Sequence, residues 1–245
     1  MKIAILGDIH SNLTAFEAVL SDIKSKGGFD RIWCLGDVVG YGPEPHECIA
    51  LLRQHDHVCV AGNHDWAAIS KMDTSDFNPA AALAAQWTSQ QLTEKDKRYL
   101  RGLKTTIVHD DFTLVHGSPR EPIWEYLFPL AIDIAKDNFS HFDTAFCLVG
   151  HSHLPLVFES IDGSVVYRVF EDGVSLELGT NRLLINTGSV GQPRDGDPRA
   201  SYALYDDEAR VIHHYRVEYD ILATQKKMQE QELPTSLIKR LSYGL

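Results

Sequence analysis

A chain of 245 residues with 44% hydrophobic and 23% charged side chains, 17 Gly and 10 Pro has ordinary globular composition. That excludes collagen-like, low-complexity and disordered classes. Thirty-four acidic against 23 basic residues give a formal net charge of -11, which disfavours general nucleic-acid binding and adhesion to an anionic membrane surface. One number stands out, 12 histidines.

The opening MKIAILGDIH lacks the apolar run of a signal peptide, and no stretch approaches the roughly 20 apolar residues of a membrane span. Cys34, Cys48, Cys59 and Cys147 form no CxxC pair and read as buried small hydrophobes, so a cytoplasmic protein is expected. In chain order, Lys2–Leu6 is a short apolar run that ends in Gly7-Asp8-Ile9-His10. Leu13, Phe16, Val19, Leu20 and Ile23 then recur at helical spacing, with Asn12 as N-cap and Gly27-Gly28 as the stop. Residues 31–35 form a second run ending in Gly36-Asp37, and Pro45 opens a helix through Ile49, Leu51 and Leu52. A third run, residues 57–61, ends in Gly62-Asn63-His64-Asp65. Asn78-Pro79 starts an alanine-rich helix carrying Leu83 and Trp87, and Thr93 caps another through Tyr99 and Leu100. Phe112–Val115 leads to His116-Gly117, and residues 145–149 lead to Gly150-His151-Ser152-His153.

The later half changes character. Residues 156–159, 165–170 and 174–178 are β-like runs separated by Asp162-Gly163 and Asp172-Gly173, both read as hairpin turns. Residues 183–186 precede a Gly- and Pro-rich loop containing Arg194. Residues 202–205 and Val211–Val217 pair around Asp206, and a polar helix over 221–231 precedes Pro234. With no linker and no repeat, one domain over residues 1–245 is expected, an α/β half followed by an antiparallel half.

The chemistry-bearing residues fall just after the β-runs. The carboxyl ends of strands in an open α/β sheet share one rim, where ligands bind. Asp8, His10, Asp37, Asn63, His64, His116, His151 and His153 are therefore expected in one crevice, with glycines turning the backbone to aim them. Imidazole, carboxylate and amide oxygen together suit first-row divalent metals. The donors are too many for one tetrahedral zinc site and suit two ions about 3.5–4 Å apart sharing a carboxylate. Two divalent ions outweigh Asp8 and Asp37, so the crevice attracts an anion, and a phosphate ester fits best. Taken singly, Asp8 reads as a helix cap, Asn63 as a turn residue, and the histidines as core or surface residues.

This series resembles the calcineurin-like metallophosphoesterases, whose motif order is D-x-H, G-D, G-N-H-D/E, H and G-H-x-H. The ordered set runs from Asp8 to His153. The segments GDVVGYGPEPHECI and INTGSVGQPRDGDPRASYALYD are similar to small prokaryotic phosphoesterase members, extending the resemblance over most of the chain. The resemblance implies a four-layer α/β sandwich, two packed mixed β-sheets flanked by helices. It implies that Asp8, His10, Asp37 and His153 hold one ion, and that Asp37 bridges to a second held also by Asn63, His116 and His151. The cofactors would be two divalent transition-metal ions, manganese foremost, with iron, zinc, cobalt and nickel also matching the donors. It makes His64 the non-ligand histidine that binds phosphate and protonates the leaving oxygen, with Asn63 also touching substrate; Asp65 is a candidate to orient His64, although an adjacent residue rarely reaches its neighbour's ring.

Phosphoprotein phosphatases of the superfamily carry G-D-x-V-D-R-G, whereas this chain has Gly40 and Tyr41 in place of the Asp and Arg. That weakens a protein-phosphatase reading, since Tyr supplies no bidentate cationic fork. Arg194 is the candidate replacement, against the plainer reading of a solvated loop arginine. The function expected is a dinuclear-metal phosphodiesterase with a metal-bridging hydroxide as nucleophile and His64 as general acid. A phosphomonoesterase or protein phosphatase is the alternative, and a non-catalytic scaffold on the same fold a remote one. The partner expected is a small phosphoester, with no general nucleic-acid binding, no membrane, and the oligomeric state open.

Overall fold

The computed structural model describes residues 1–245. The chain begins β1 (Lys2–Leu6), α1 (Leu13–Ser25), β2 (Arg31–Cys34), α2 (Pro45–Leu52), β3 (His57–Cys59). Three helices follow, α3 (Asn63–Ala68), α4 (Pro79–Gln91) and α5 (Glu94–Arg101). Next come β4 (Thr106–His109), β5 (Phe112–Val115), α6 (Ile132–Asn138), β6 (Phe146–Val149), β7 (Pro155–Ile161) and β8 (Ser164–Val169). The last part contains β9 (Ser175–Glu177), β10 (Arg182–Thr187), β11 (Ala200–Asp206), β12 (Val211–Val217), α7 (Ile221–Glu230) and α8 (Thr235–Arg240). The strands form two mixed 6-stranded sheets, ordered β3-β2-β1-β11-β12-β9 and β4-β5-β6-β10-β7-β8.

The apolar runs do what their near-continuity predicts: strands buried on both faces with alternate residues on opposite sides. Ile3, Ile5, Trp33 and Leu35 point into the space between the sheets, against Phe112, Leu114, Phe146 and Leu148. Ala4, Leu6, Ile32 and Cys34 face the outer helices, against Phe16, Val19, Ile23 and Ile49. On the other outer face, α6 is followed by Phe139 and Phe142, which cluster with Cys147, Val149, Phe158 and Leu184. This is the expected four-layer sandwich. A further cluster joins α4, α7 and α8 through Ala81, Ala84, Met228, Leu237, Ile238 and Leu241, and it includes Tyr41. The four cysteines are free and buried, as their surroundings predict.

Two expectations need correction. The α/β and antiparallel halves do not segregate: β11 from the C-terminal half lies antiparallel to β1, with Ile3 opposite Tyr205, beside the parallel β1, β2 and β3. Likewise β10 is parallel to β6 and antiparallel to β7. Asp162-Gly163 does close a hairpin, β7 with β8. Asp172-Gly173 instead marks a crossing between sheets, since β9 pairs with β12 and the Gly173 N–H donates to the His214 carbonyl. The short elements α3, β4, α6 and α8 had no clear sequence signal.

This topology sets the site. β1, β2 and β3 run parallel in one sheet, and β5, β6 and β10 run parallel in the other. The segments leaving their carboxyl ends meet over the interlayer core.

Candidate metal centre

Two groups of ligand-type side chains assemble there, Asp8 with His10 and His153, and Asp37 with His116 and His151. Within each group the donor atoms lie inside 4.8 Å of one another. In the first, His153 Nε2 is 3.1 Å from His10 Nε2 and 3.3 Å from Asp8 Oδ1. In the second, His116 Nε2 lies 3.1 Å from His151 Nδ1 and 3.1 Å from the amide oxygen of Asn63. Asp37 stands between the groups. Its Oδ2 is 3.7 Å from His10 Nε2 and 3.3 Å from His116 Nε2. The other oxygen, Oδ1, accepts the His64 backbone N–H at 2.8 Å, whereas Oδ2 is buried without a hydrogen-bond partner.

The rings are held from behind. His10 Nδ1 faces the Val39 carbonyl at 3.2 Å, and His116 Nδ1 faces that of Leu35 at 2.8 Å. His153 Nδ1 faces the Gln192 carbonyl, and His151 Nε2 that of Trp124 at 3.1 Å. A carbonyl only accepts, so each of these nitrogens carries the hydrogen. In the neutral rings the opposite nitrogens turn bare lone pairs inward. Such outer hydrogen bonds fix tautomer and orientation in metal-ligating histidines. The facing lone pairs of His10 and His153 at 3.1 Å, together with the orphaned Asp37 oxygen, are what cations would satisfy. The donor set therefore fits two first-row divalent ions.

The backbone is strained to achieve this. Asp8, His10, Asp37, His151 and His153 have φ of 54°, 50°, 51°, 65° and 59°. The left-handed region is sparsely used by non-glycine residues and is stored mainly at functional sites. The expectation that the preceding glycines would do the turning is thus largely corrected. Among them only Gly36 takes positive φ, and the ligand residues carry the rest themselves. Gly40 matters differently: a Cβ there would lie 2.7 Å from His64 Nδ1. The missing Asp of the protein-phosphatase pattern has no room in this arrangement.

Burial sets the electrostatics. It raises Asp8 to about 7, with a further push from Asp37, against the pull of His116. Burial opposes charge on His116 too, but Asp37 and then Asp8 overcome it and raise the ring to about 9. Asp37 is held well below the ordinary carboxylate range: burial pushes it up, and His116, His64 and His10 together outweigh that push. His10, His151 and His153 are driven down by burial, which keeps their inward nitrogens unprotonated.

All eight strand-end residues singled out in the sequence are therefore brought together. His64 is different from the ligand-type histidines: it lacks a backing carbonyl and its Nδ1 is buried without a partner. Its ring packs against Tyr41, His10 and Phe77 with centroids 4.2, 5.0 and 5.0 Å away, and burial, partly offset by Asp37, lowers it to about 4. Asp65 does not orient it. The Asp65 carboxylate instead accepts the N–H groups of Gly62 at 3.0 Å and Val39 at 3.2 Å, tying the two motif loops together. Asn12 caps α1 as expected, accepting from Ala15 at 3.2 Å. Arg194 is no solvated loop arginine: its Nη2 donates to Gln192 Oε1 at 3.0 Å and to the Tyr41 hydroxyl at 3.4 Å.

Sequence reasoning missed an aromatic wall. Tyr126 stacks on His151 at 3.7 Å, Phe128 stacks on Tyr126 at 5.3 Å, and Trp124 stacks on Phe77 at 5.5 Å. Phe128 and Trp124 stay 45% and 37% exposed, leaving planar apolar surface beside the polar centre. The clustering of aromatics just after the His116 motif, Trp124, Tyr126 and Phe128, was the available signal.

Comparison with known proteins agrees with this geometry. Residues 1–210 match the calcineurin-like phosphoesterase superfamily domain, and the chain belongs to that superfamily. An uncharacterized protein of Methanocaldococcus jannaschii is 41% identical over 247 residues, covering 99% of this chain and 98% of its own. The crystal structure of a metallophosphoesterase from Sphaerobacter thermophilus superposes with a TM-score of 0.90 at 47% identity, covering 100% of this chain and 99% of that one. A symmetrical bis(5'-nucleosyl)-tetraphosphatase of Pseudomonas putida is 33% identical over 100 residues, 35% of each chain. Family and donor groups together imply a dinuclear divalent metal centre in a metal-dependent phosphoester hydrolase.

Proposed function

We propose that this calcineurin-like phosphoesterase hydrolyses disubstituted phosphates, acting on small phosphoesters as a phosphodiesterase. The observation that carries the reading is the Asp37 carboxylate, with one oxygen tied to the His64 backbone and the other left free between Asp8, His10 and His153 on one side and Asn63, His116 and His151 on the other. Asp8, His10, Asp37 and His153 would hold one ion, and Asp37, Asn63, His116 and His151 the other. The chemistry that two divalent ions supply when bound is polarisation of phosphoryl oxygens and a lowered pKa for water, with manganese our first choice.

The remaining work falls to this chain's own residues. Asn63 and Arg194 would contact the substrate, Arg194 offering guanidinium N–H groups to a phosphoryl oxygen. His64 would deliver the proton to the departing oxygen as the phosphorus–oxygen bond breaks. In the metal-free chain burial keeps that ring neutral at pH 7, and an anionic substrate beside it favours the imidazolium that can donate. Tyr41 and Phe77 keep water from the ring's faces. The crowding at Gly40 supports a diester over a phosphoprotein substrate, because no Asp can back His64 from that position.

No helix is long and apolar enough to cross a membrane. A cytoplasmic setting, with no role in general nucleic-acid or membrane binding, fits four unpaired buried thiols and a net charge of -11. The test is hydrolysis of bis(p-nitrophenyl) phosphate against p-nitrophenyl phosphate with added Mn²⁺. We expect a higher kcat/KM for the diester, with turnover abolished by chelation and strongly lowered by His64→Ala. A preference for the monoester would favour the phosphomonoesterase reading. Retained metal with no turnover of either would favour the scaffold.

A further inference from the structure

Outside the metal centre, one side-chain arrangement has no structural explanation. Arg194, in the loop after β10, and Arg240, the last residue of α8, share a single acceptor. Gln192 Oε1 receives Arg194 Nη2 at 3.0 Å and Arg240 Nη1 at 3.2 Å. Neither guanidinium is paired with a carboxylate; Arg53, Arg98, Arg101 and Arg182 share that lack, whereas Arg31, Arg120, Arg168, Arg199, Arg210 and Arg216 each have one, and what sets Arg194 and Arg240 apart is that they converge on one acceptor. The chain has 34 acidic residues to draw on. In addition, Arg194 Nε is buried with no partner. Two like charges gathered on one amide oxygen repel each other, and one such oxygen cannot satisfy two planar forks.

The pair is built in place. Leu237, Ile238 and Leu241 anchor α8 against Tyr41 and Met228, and Gln225 Nε2 donates to the Ile238 carbonyl at 2.8 Å. Gln192 also ties the pair to the metal centre, because its backbone carbonyl accepts from His153. Tyr41 is the spacer: the Arg194 guanidinium lies 5.7 Å from its ring centroid, and His64 is 4.2 Å from the same ring. Arg240 lies beyond residue 210, where the family match ends.

We propose that Arg194 and Arg240 form a paired-guanidinium subsite for a second phosphoryl group, so that the preferred substrates carry another phosphoryl beside the one cleaved. Planar forks bind phosphoryl oxygens bidentately, and an anion between two of them converts their repulsion into attraction for a third charge. The inference rests on the phosphoester-hydrolase reading for what happens next door, though not for the anion binding itself.

The first arm uses metal-free full-length chain, prepared by chelation and dialysis, and isothermal titration with methylenediphosphonate, methylphosphonate and inorganic phosphate. We expect the diphosphonate to bind at least about tenfold tighter than either single-phosphorus probe, a preference lost in Arg240→Ala and Arg240→Gln. Arg240→Gln keeps most of the side chain's length, so a folding defect in Arg240→Ala does not end the test. Lys239→Ala removes an exposed cation from the same helix and should behave as wild type. The second arm compares the Mn²⁺-loaded enzyme on a diester of pyrophosphate and a diester of orthophosphate. Arg240→Gln should shrink the KM advantage of the former about tenfold or more. Equal losses in Lys239→Ala and Arg240→Gln would reduce the effect to net charge and overturn the subsite. Inorganic phosphate binding as tightly as the diphosphonate would indicate a free-phosphate site and also overturn it. An unchanged preference in both Arg240 variants would do the same. If no phosphoester is cleaved while the metal-free preference persists, the hydrolase reading fails and the subsite stands.

Discussion

Leu148 lies in β6, His151 in the segment that leaves it, and both are buried. Leu148 packs between the sheets with Phe112, Leu114 and Phe146. His151 has φ of 65°, a ring held by the Trp124 carbonyl, and a bare nitrogen 3.1 Å from another histidine. The same contrast holds from Ile5 to Asp8 and from Leu35 to Asp37. Below the rim, side chains are placed where burial stabilises the fold. Above it, burial raises Asp8, drives three histidines down and leaves an Asp37 oxygen unsatisfied. Equal burial thus has opposite meaning: the core holds the chain together, and the rim is a strained polar layer that the core makes tolerable.

The contrast breaks most visibly through Asp8→Asn, which keeps the acceptor for the His151 N–H. Losing a ligand should lower kcat/KM about 10³-fold or more, read on a diester substrate with metal content measured alongside. The metal-free variant should nevertheless be more stable than wild type at pH 8. Asp8 has its folded pKa raised to about 7 from the ordinary 3.8, so ionising it costs stability progressively as pH rises through that window. The advantage should vanish below about pH 4, as thermal unfolding at the two pH values will reveal. His64→Ala should come next, lowering kcat about 10²- to 10⁴-fold with both ions retained. Loss of metal in that variant would place His64 among the ligands and erase its distinction from His151.

Leu148→Ala tests the other side. It should cost about 2–5 kcal/mol of stability in denaturant unfolding while the folded fraction keeps its kcat. A matching fall in kcat would show that core and rim are not separable. The smallest effect sits between them. Asn12 caps α1 and donates to the Gly191 carbonyl at 2.9 Å, so Asn12→Ala should cost about 1 kcal/mol with metal stoichiometry unchanged.

The same contrast decides what the sequence could reveal. Rim residues follow directly on apolar runs, so Asp8, Asp37, Asn63, His116, His151 and His153 were legible as an ordered series before any fold was known. The four layers followed from the resemblance that this series carries, while the apolar runs by themselves pointed to strands buried on both faces. Arg240, Tyr126 and Phe77 were not, because their positions depend on how α4 and α8 and the loop after β5 pack in three dimensions. Asp172-Gly173 was misread for a related reason: the turn chemistry is the same whether the chain returns to its own sheet or crosses to the other. Asp65 could be expected not to reach the adjacent His64 ring, but that its carboxylate bonds to backbone amides on two loops depends on how those loops approach in space.

The central claim is that one carboxylate joins two metal sites at the meeting of the two sheets. Anomalous scattering from crystals of the Mn²⁺-loaded protein tests it most directly. The account predicts two peaks, one beside Asp8, His10 and His153 and the other beside Asn63, His116 and His151, with Asp37 in contact with both. A single peak, or two peaks with Asp37 outside coordinating distance of either, would contradict it.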